Sequence, residues 1–285
     1  MKKIIALVMA MLMVLGLFAG CASDKTADTD KDTNKTNTPE TTTGDEDTEG
    51  EGENEAAFTT VEEGKLIMAT NAFFPPYEYY EGDKIVGIDA EIAAAIAEKL
   101  GLELVIENME FNSIITAVTT GAADFGLAGM TVTEDRLLEV DFSISYAKGV
   151  QAIVVKDGSA ITSYDDLAAE GATYKIGVQL GTTGDIYAGD EFGDRVVKYN
   201  NGNEAVLALQ AGDIDCIIID NEPAKAFVAA NEGLKVLDST YADEDYAACF
   251  AKDNDALLNA VNTAIEELII DGTIDKIVEK YIPAE

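Results

Sequence analysis

The chain of 285 residues contains no histidine. That absence excludes a histidine-based catalytic triad, a histidine-ligated metal and a histidine pH switch. Cysteine is scarce: Cys21, Cys216 and Cys249 stand far apart and form no metal-ligand spacing. Cations are few, 19 Lys and Arg against 54 Asp and Glu, for a formal net charge of -35. Such a chain cannot neutralise phosphates, which excludes nucleic acid as a partner, and it is not drawn electrostatically to anionic lipid. Beyond the first twenty residues no apolar run is long enough to span a membrane, which disfavours a channel. No cofactor or metal is implied.

What is present begins with residues 1–20. Lys2 and Lys3 precede an apolar stretch from Ile4 to Phe18, the pattern of a secretion signal. Leu17-Phe18-Ala19-Gly20-Cys21 resembles a bacterial lipoprotein signal, which implies lipidation of Cys21 as the first mature residue. The alternative is an ordinary cleaved signal followed by an incidental cysteine. Residues 21–57 are dominated by Thr, Asp, Glu, Gly and Asn, with too little apolar surface to offset chain entropy. They read as a disordered acidic tether holding a domain off a membrane surface.

From Phe58 onward the pattern becomes that of an α/β fold. Lys65–Thr70 reads as a strand, Asn71–Tyr77 as an aromatic loop, and Tyr79–Ile85 as a hairpin turned at Gly82-Asp83. Asp89–Leu100 is an amphipathic helix ended by Gly101. A strand at Leu102–Ile106, a helix at Asn112–Thr120 and a strand at Phe125–Ala128 follow. The second half echoes the first, with strands at Lys175–Gln179, Val196–Tyr199 and Ile214–Ile219, and helices opening at Gly181 and Glu204. Ala117–Phe125 aligns with Ala208–Cys216, so Gly129 and Asp220 fall at the same offset from the capping glycines Gly121 and Gly212.

The expected architecture is therefore two open, mainly parallel-sheet lobes joined by a two-segment hinge. Lobe 1 spans 58–149 and returns at 248–285, and lobe 2 spans 150–247. Val150–Lys156 and Tyr246–Lys252 are the expected crossings, and Asp255–Ile270 and Thr273–Ile282 the closing helices. Open parallel sheets bind ligands beyond the carboxyl ends of their strands. Asn71, Gly129, Asp220 and Gln179 to Thr183 lie there. Thr133 reads as a helix N-cap with Glu134 and Asp135 in the first turn, where Arg136 is electrostatically misplaced. Either Arg136 pairs locally with Glu139 or Asp141, or it meets a bound carboxylate.

Over residues 60–283 the chain resembles the extracellular amino-acid-binding proteins of bacterial ABC importers, with the type II periplasmic-binding-protein fold. The resemblance is carried by Phe74-Pro-Pro-Tyr-Glu-Tyr79, Gly87-Ile-Asp-Ala-Glu-Ile92, Ala123-Asp-Phe125, Gly129-Met-Thr-Val-Thr-Glu-Asp-Arg136, Val140-Asp-Phe-Ser143, Gly181-Thr-Thr183, Ile219-Asp220 and Asp271-Gly-Thr-Ile274, in order and spacing. It implies a ligand α-carboxylate held by Arg136, Thr131 and the helix start at Thr182-Thr183. The α-ammonium falls to Asp220, Gly129 and Thr131, and the side chain stacks on Phe74 and Phe111. It implies a monomer that is not an enzyme, delivering a free amino acid to permease and ATPase subunits. It would be anchored outside the cell membrane, or periplasmic where an outer membrane exists.

Alternatives at single positions are a plain N-cap for Asp220, a cap alone for Thr182 and Thr183, and simple core for Phe74 and Phe111. Cys216 and Cys249 read as buried free thiols. Basic-amino-acid binders of the family often carry an acid at Asn71 or Phe73, so the neutral side chains here favour a neutral ligand, unless Glu78 or Glu110 makes the pocket acidic. Two other functions share the fold: a dehydratase of prephenate or arogenate, needing Glu78 or Glu110 as general acid, and an amino-acid sensor.

Overall fold

The computed structural model describes residues 58–238 and 242–283. The signal, Cys21 and the tether lie outside the described residues. The order of elements is β1 (Lys65–Thr70), β2 (Phe73–Phe74), β3 (Glu78–Glu81), β4 (Lys84–Val86), α1 (Ile88–Leu100), β5 (Glu103–Asn108), α2 (Ile114–Thr119), β6 (Phe125–Gly126), α3 (Glu134–Glu139) and β7 (Val140–Phe142). Then come β8 (Ala147–Lys156), α4 (Tyr164–Ala168), β9 (Ile176–Gln179), α5 (Thr183–Phe192), β10 (Val196–Tyr199), α6 (Gly202–Ala211), β11 (Cys216–Asp220), α7 (Asn221–Ala230), β12 (Leu234–Val236), β13 (Ala242–Tyr246), β14 (Cys249–Ala251), α8 (Asp255–Ile270) and α9 (Thr273–Tyr281).

Each half builds the same parallel triple, its first strand flanked by the second and third: β5-β1-β6 in one sheet and β10-β9-β11 in the other. The segments expected only to cross between lobes do more than cross. β8 pairs antiparallel with β11, and β14 pairs antiparallel with β6. Each sheet thus takes its next strand from the segment arriving from the other half, and both sheets are mixed. The two connections run side by side, bonded from Ser143 N to Ala248 O (2.9 Å) and from Tyr146 N to Tyr246 O (3.0 Å).

Helices cover both faces of both sheets. The apolar face of α1, Ile88, Ile92 and Ile96, packs with Phe125, Phe250 and the α8 residues Leu257, Val261 and Ile265. Each such isoleucine contributes about 1.5–3 kcal/mol through removal from water. The opposite face carries α2 with Cys249 in the core, and the second sheet is enclosed by α6 and α7 on one side and α4 and α5 on the other. Cys216 and Cys249 are buried free thiols in different sheets, pushed up to about 12 by desolvation. Gly87 explains how the β3–β4 hairpin folds against α1: at φ +127° its missing Cβ would lie 2.2 Å from the Tyr77 carbonyl oxygen. Among the described residues no helix is long and apolar enough to cross a membrane.

Candidate functional site

The carboxyl ends of β1, β6, β9 and β11 converge on one cavity. Ten residues assigned to the site from the sequence line it: Asn71, Phe74, Phe111, Gly129, Thr131 and Arg136 from the first half, Gln179, Thr182, Thr183 and Asp220 from the second.

Arg136 sits in the first turn of α3 because Thr133 caps that helix, its Oγ1 accepting from Arg136 N at 3.2 Å. The side chain is only 7% exposed. Its guanidinium donates to Thr131 O (2.7 Å) and, across the cavity, to Gly181 O (3.0 Å), and lies over the Phe111 ring. No carboxylate lies within ion-pair distance of it among the described residues. The local pairing with Glu139 or Asp141 does not occur: Glu139 is exposed and Asp141 binds Lys252. Burial works against the Arg136 charge, and the buried Glu244 across the cavity is the main charge that favours it.

Asp220 is the opposite case. It ends β11 and is 1% exposed. Oδ1 caps α7 by accepting from Glu222 N (3.1 Å), while Oδ2 accepts from Val150 N (3.0 Å) and the Tyr246 hydroxyl (2.5 Å). Burial raises its pKa to about 7, opposed by those three donors. No cation pairs with it among the described residues. Oδ1 makes the N-cap, and the side chain also lines the cavity.

Thr182 caps α5 through Asp185 N (3.3 Å), which aims that helix start, with Thr183, at the cavity. Asn71 and Gln179 meet over it, with Gln179 Nε2 donating to Asn71 Oδ1 at 3.0 Å.

Three lining residues were not legible in the sequence: Gln151 on β8, and Glu244 and Tyr246 on β13. Glu244 is 5% exposed; its Oε2 accepts from Gln151 Nε2 (3.0 Å). Glu244 Oε1 and Gln151 Oε1 receive no hydrogen bond among the described residues. The available signal was period two: in Ala242–Tyr246 only Glu244 and Tyr246 are buried, on one face of the strand. Of the two acids named from the sequence, Glu78 is buried on the cavity wall, but Glu110 is exposed and lies off it. Glu110 precedes the turn that buries Phe111, and that turn leaves it pointing to solvent.

Residues 66–284 match the model of the bacterial extracellular solute-binding proteins, family 3. The arginine-binding extracellular protein ArtP of Bacillus subtilis is 35% identical over 227 residues, 78% of this chain and 87% of that one. The structure of an ancestral arginine-binding protein bound to glutamine superposes with a TM-score of 0.73 at 40% identity, covering 78% of this chain and 99% of that one. The arginine-, lysine-, histidine-binding protein ArtJ of Geobacillus stearothermophilus superposes with a TM-score of 0.72 at 31% identity, over 78% of this chain and 96% of that one.

Proposed function

The chain belongs to the bacterial extracellular solute-binding proteins of family 3, and from that premise we propose that it captures a free α-amino acid with a cationic side chain for an ABC importer. One observation carries this reading: a buried guanidinium without an anion and a buried carboxylate without a cation face one cavity from opposite lobes. An α-amino acid supplies both missing charges on adjacent atoms. Arg136, with the Thr131 N–H and the start of α5 at Thr182-Thr183, takes the carboxylate. Asp220, with the Gly129 carbonyl and the Thr131 hydroxyl, takes the ammonium. Phe74 and Phe111 flank the side chain.

The class of side chain follows from what remains. Asn71 and Phe73 argued for a neutral ligand, but Glu244 brings an acid from the other lobe, with one oxygen free of donors beside the free Gln151 Oε1. A guanidinium or ammonium head satisfies both acceptors and balances the charge. The relatives named for arginine, lysine and histidine agree with this class. They are binding proteins, so the dehydratase reading is not favoured. The proposal includes the lobe boundaries near residues 149 and 247, a monomer, and a lipid at Cys21 holding the domain outside the membrane.

Titration calorimetry with arginine, lysine, histidine and glutamine tests it. The expected result is saturable binding strongest for a cationic amino acid. Arg136→Ala, folded by circular dichroism, should bind at least about 30-fold more weakly, the consequence of stranding a buried charge. No binding by folded protein, or near-native affinity in Arg136→Ala, overturns the assignment. Preference for glutamine overturns the cationic class alone.

A further inference from the structure

Glu78 and Asp89 form a buried acid pair beside the cavity for which ligand capture as described has no use. Both are 0% exposed. Glu78 lies on β3 opposite Phe74, and Asp89 lies in the first turn of α1. Asp89 Oδ2 accepts from Gly129 N (2.7 Å) and from the Tyr146 hydroxyl (2.8 Å). Asp89 N donates to Tyr77 O (2.9 Å), which sets the start of α1 against β3 beside Glu78, and the Asp89 carboxyl is the charge that acts on Glu78. Among the described residues no N–H or O–H of a third residue reaches either Glu78 oxygen or Asp89 Oδ1. Two ionised carboxylates side by side and out of solvent repel strongly, and each of the three oxygens without a donor carries a desolvation cost. A single proton between them relieves that repulsion. Asp89 already receives two hydrogen bonds and remains the ionised partner, so the proton sits on Glu78.

We propose that Glu78 is a positioning residue: its proton, donated to Asp89, keeps Asp89 fastened to the Gly129 N–H and so holds the Gly129 carbonyl where the ligand ammonium needs it. Gly129 stands at φ +51°, with Phe74 filling the place of its Cβ, so the turn has little room to shift and stay productive. Desolvation and the adjacent Asp89 push Glu78 well above the usual carboxylate range, in keeping with this assignment, and burial puts Asp89 at about 6. The other titratable groups around the pair are Tyr77 and Tyr146, with Lys148 and Glu222 beyond them, and Arg136, Asp220, Glu244 and Tyr246 across the cavity. Tyr77, Tyr146 and Tyr246 are all raised by burial and keep their protons where Glu78 titrates.

The role in capture rests on the amino-acid reading above; the proton does not. Infrared difference spectroscopy of the ligand-free protein tests the proton directly. Beyond the band of Asp220, which is partly protonated near pH 7, one further carboxylic-acid carbonyl component should be present at neutral pH and lost in Glu78→Gln; carbonyl bands identical in parent and variant overturn the proposal. Arginine titrations from neutral to alkaline pH test the role. Glu78 carries its proton below its raised pKa, so affinity is full there and falls as pH rises through it. In Glu78→Gln the amide donates in place of the acid and cannot ionise. That variant should bind within about threefold of the parent at neutral pH, and its affinity relative to the parent should climb with pH. The ratio cancels titration of the free ligand's own ammonium. Glu78→Leu, with no donor, should lose about tenfold or more. A ratio flat with pH, or a folded Glu78→Leu equal to the parent, overturns the role. If the parent binds no amino acid, the functional reading falls while the infrared result still decides the proton.

Discussion

Asp220 divides its two oxygens between a helix cap and the cavity wall. Its Oδ1 stops β11 and starts α7, and its Oδ2 gathers Val150 N and the Tyr246 hydroxyl in the cavity. Burial holds its ligand-free pKa near 7. The sign of the pH effect follows. The carboxylate is present above that value and disappears as pH falls through it, taking the partner of the ligand ammonium with it. Arginine affinity should therefore drop on acidification below about pH 7, approaching a factor of about ten per pH unit, the limit for linkage to one proton. Asp220→Asn keeps a cap acceptor but cannot ionise. It should remove that acid limb, weaken binding at least about 30-fold, and melt lower than the parent when ligand-free, because the amide NH2 in place of Oδ2 cannot accept from Val150 N. Calorimetry across pH and thermal melts check both parts. The ten positions named as the site lie on the cavity: most stand at strand carboxyl ends that chain order located, while Phe74 and Phe111 were named only through the family resemblance. Glu244 escaped because Asp243-Glu244-Asp245 has the composition of a solvated surface; only pairing of β13 with β8 turns the middle acid inward.

At the scale of elements, the doubled β-α-β-α-β order was legible from the capping glycines and the aligned strand ends. The antiparallel pairing of β8, β13 and β14 was not, since pairing partners distant in sequence leave no local mark. That pairing creates the tightest contact of the site. β8 passes so close to Tyr246 on β13 that a Cβ at Gly149 would lie 2.3 Å from the Tyr246 hydroxyl oxygen and 2.7 Å from Asp220 Oδ2. Gly149→Ala must push the tyrosine off the aspartate. The expected result is a loss of about 1–3 kcal/mol of stability, the range for overpacking a filled core, together with weaker arginine binding. Gly189 in α5 is the contrast, because nothing lies within 4 Å of its Cβ position. Gly189→Ala should stabilise by about 0.5–1 kcal/mol through helix propensity and leave affinity unchanged. Denaturant melts and calorimetry on the pair separate crowding at the hinge from a general effect of alanine. Equal behaviour of the two variants would refute the role given to the β8–β13 contact.

At the scale of the molecule, the lobes are joined beside the hinge by Val132 N to Asp245 O and Ala247 N to Met130 O (both 3.1 Å), and across the cavity, among the described residues, by two polar links. Arg136 Nη2 reaches Gly181 O, and Gln179 Nε2 reaches Asn71 Oδ1. Neutral links of this kind contribute about 0.5–1.5 kcal/mol each, and charged ones about 1.5–3. That is too little to hold two lobes shut against the freedom of a two-strand hinge while Arg136 and Asp220 remain uncompensated. A ligand that completes both charges changes the balance, since it touches the two sides only when they meet. A population shift requires such differential contact with the closed state, and here it is written into the positions of Arg136 and Asp220 on opposite walls. Adding arginine should contract the protein, read as a smaller radius of gyration by solution X-ray scattering. The melting temperature should rise with the logarithm of ligand concentration, corresponding to about 2.7 kcal/mol at a hundredfold excess over Kd. Arg136→Ala should show neither change at the arginine concentration that saturates the parent. A ligand-free protein already as small as the complex would mean that the protein–protein links alone hold the lobes together, and that capture proceeds without hinge closure.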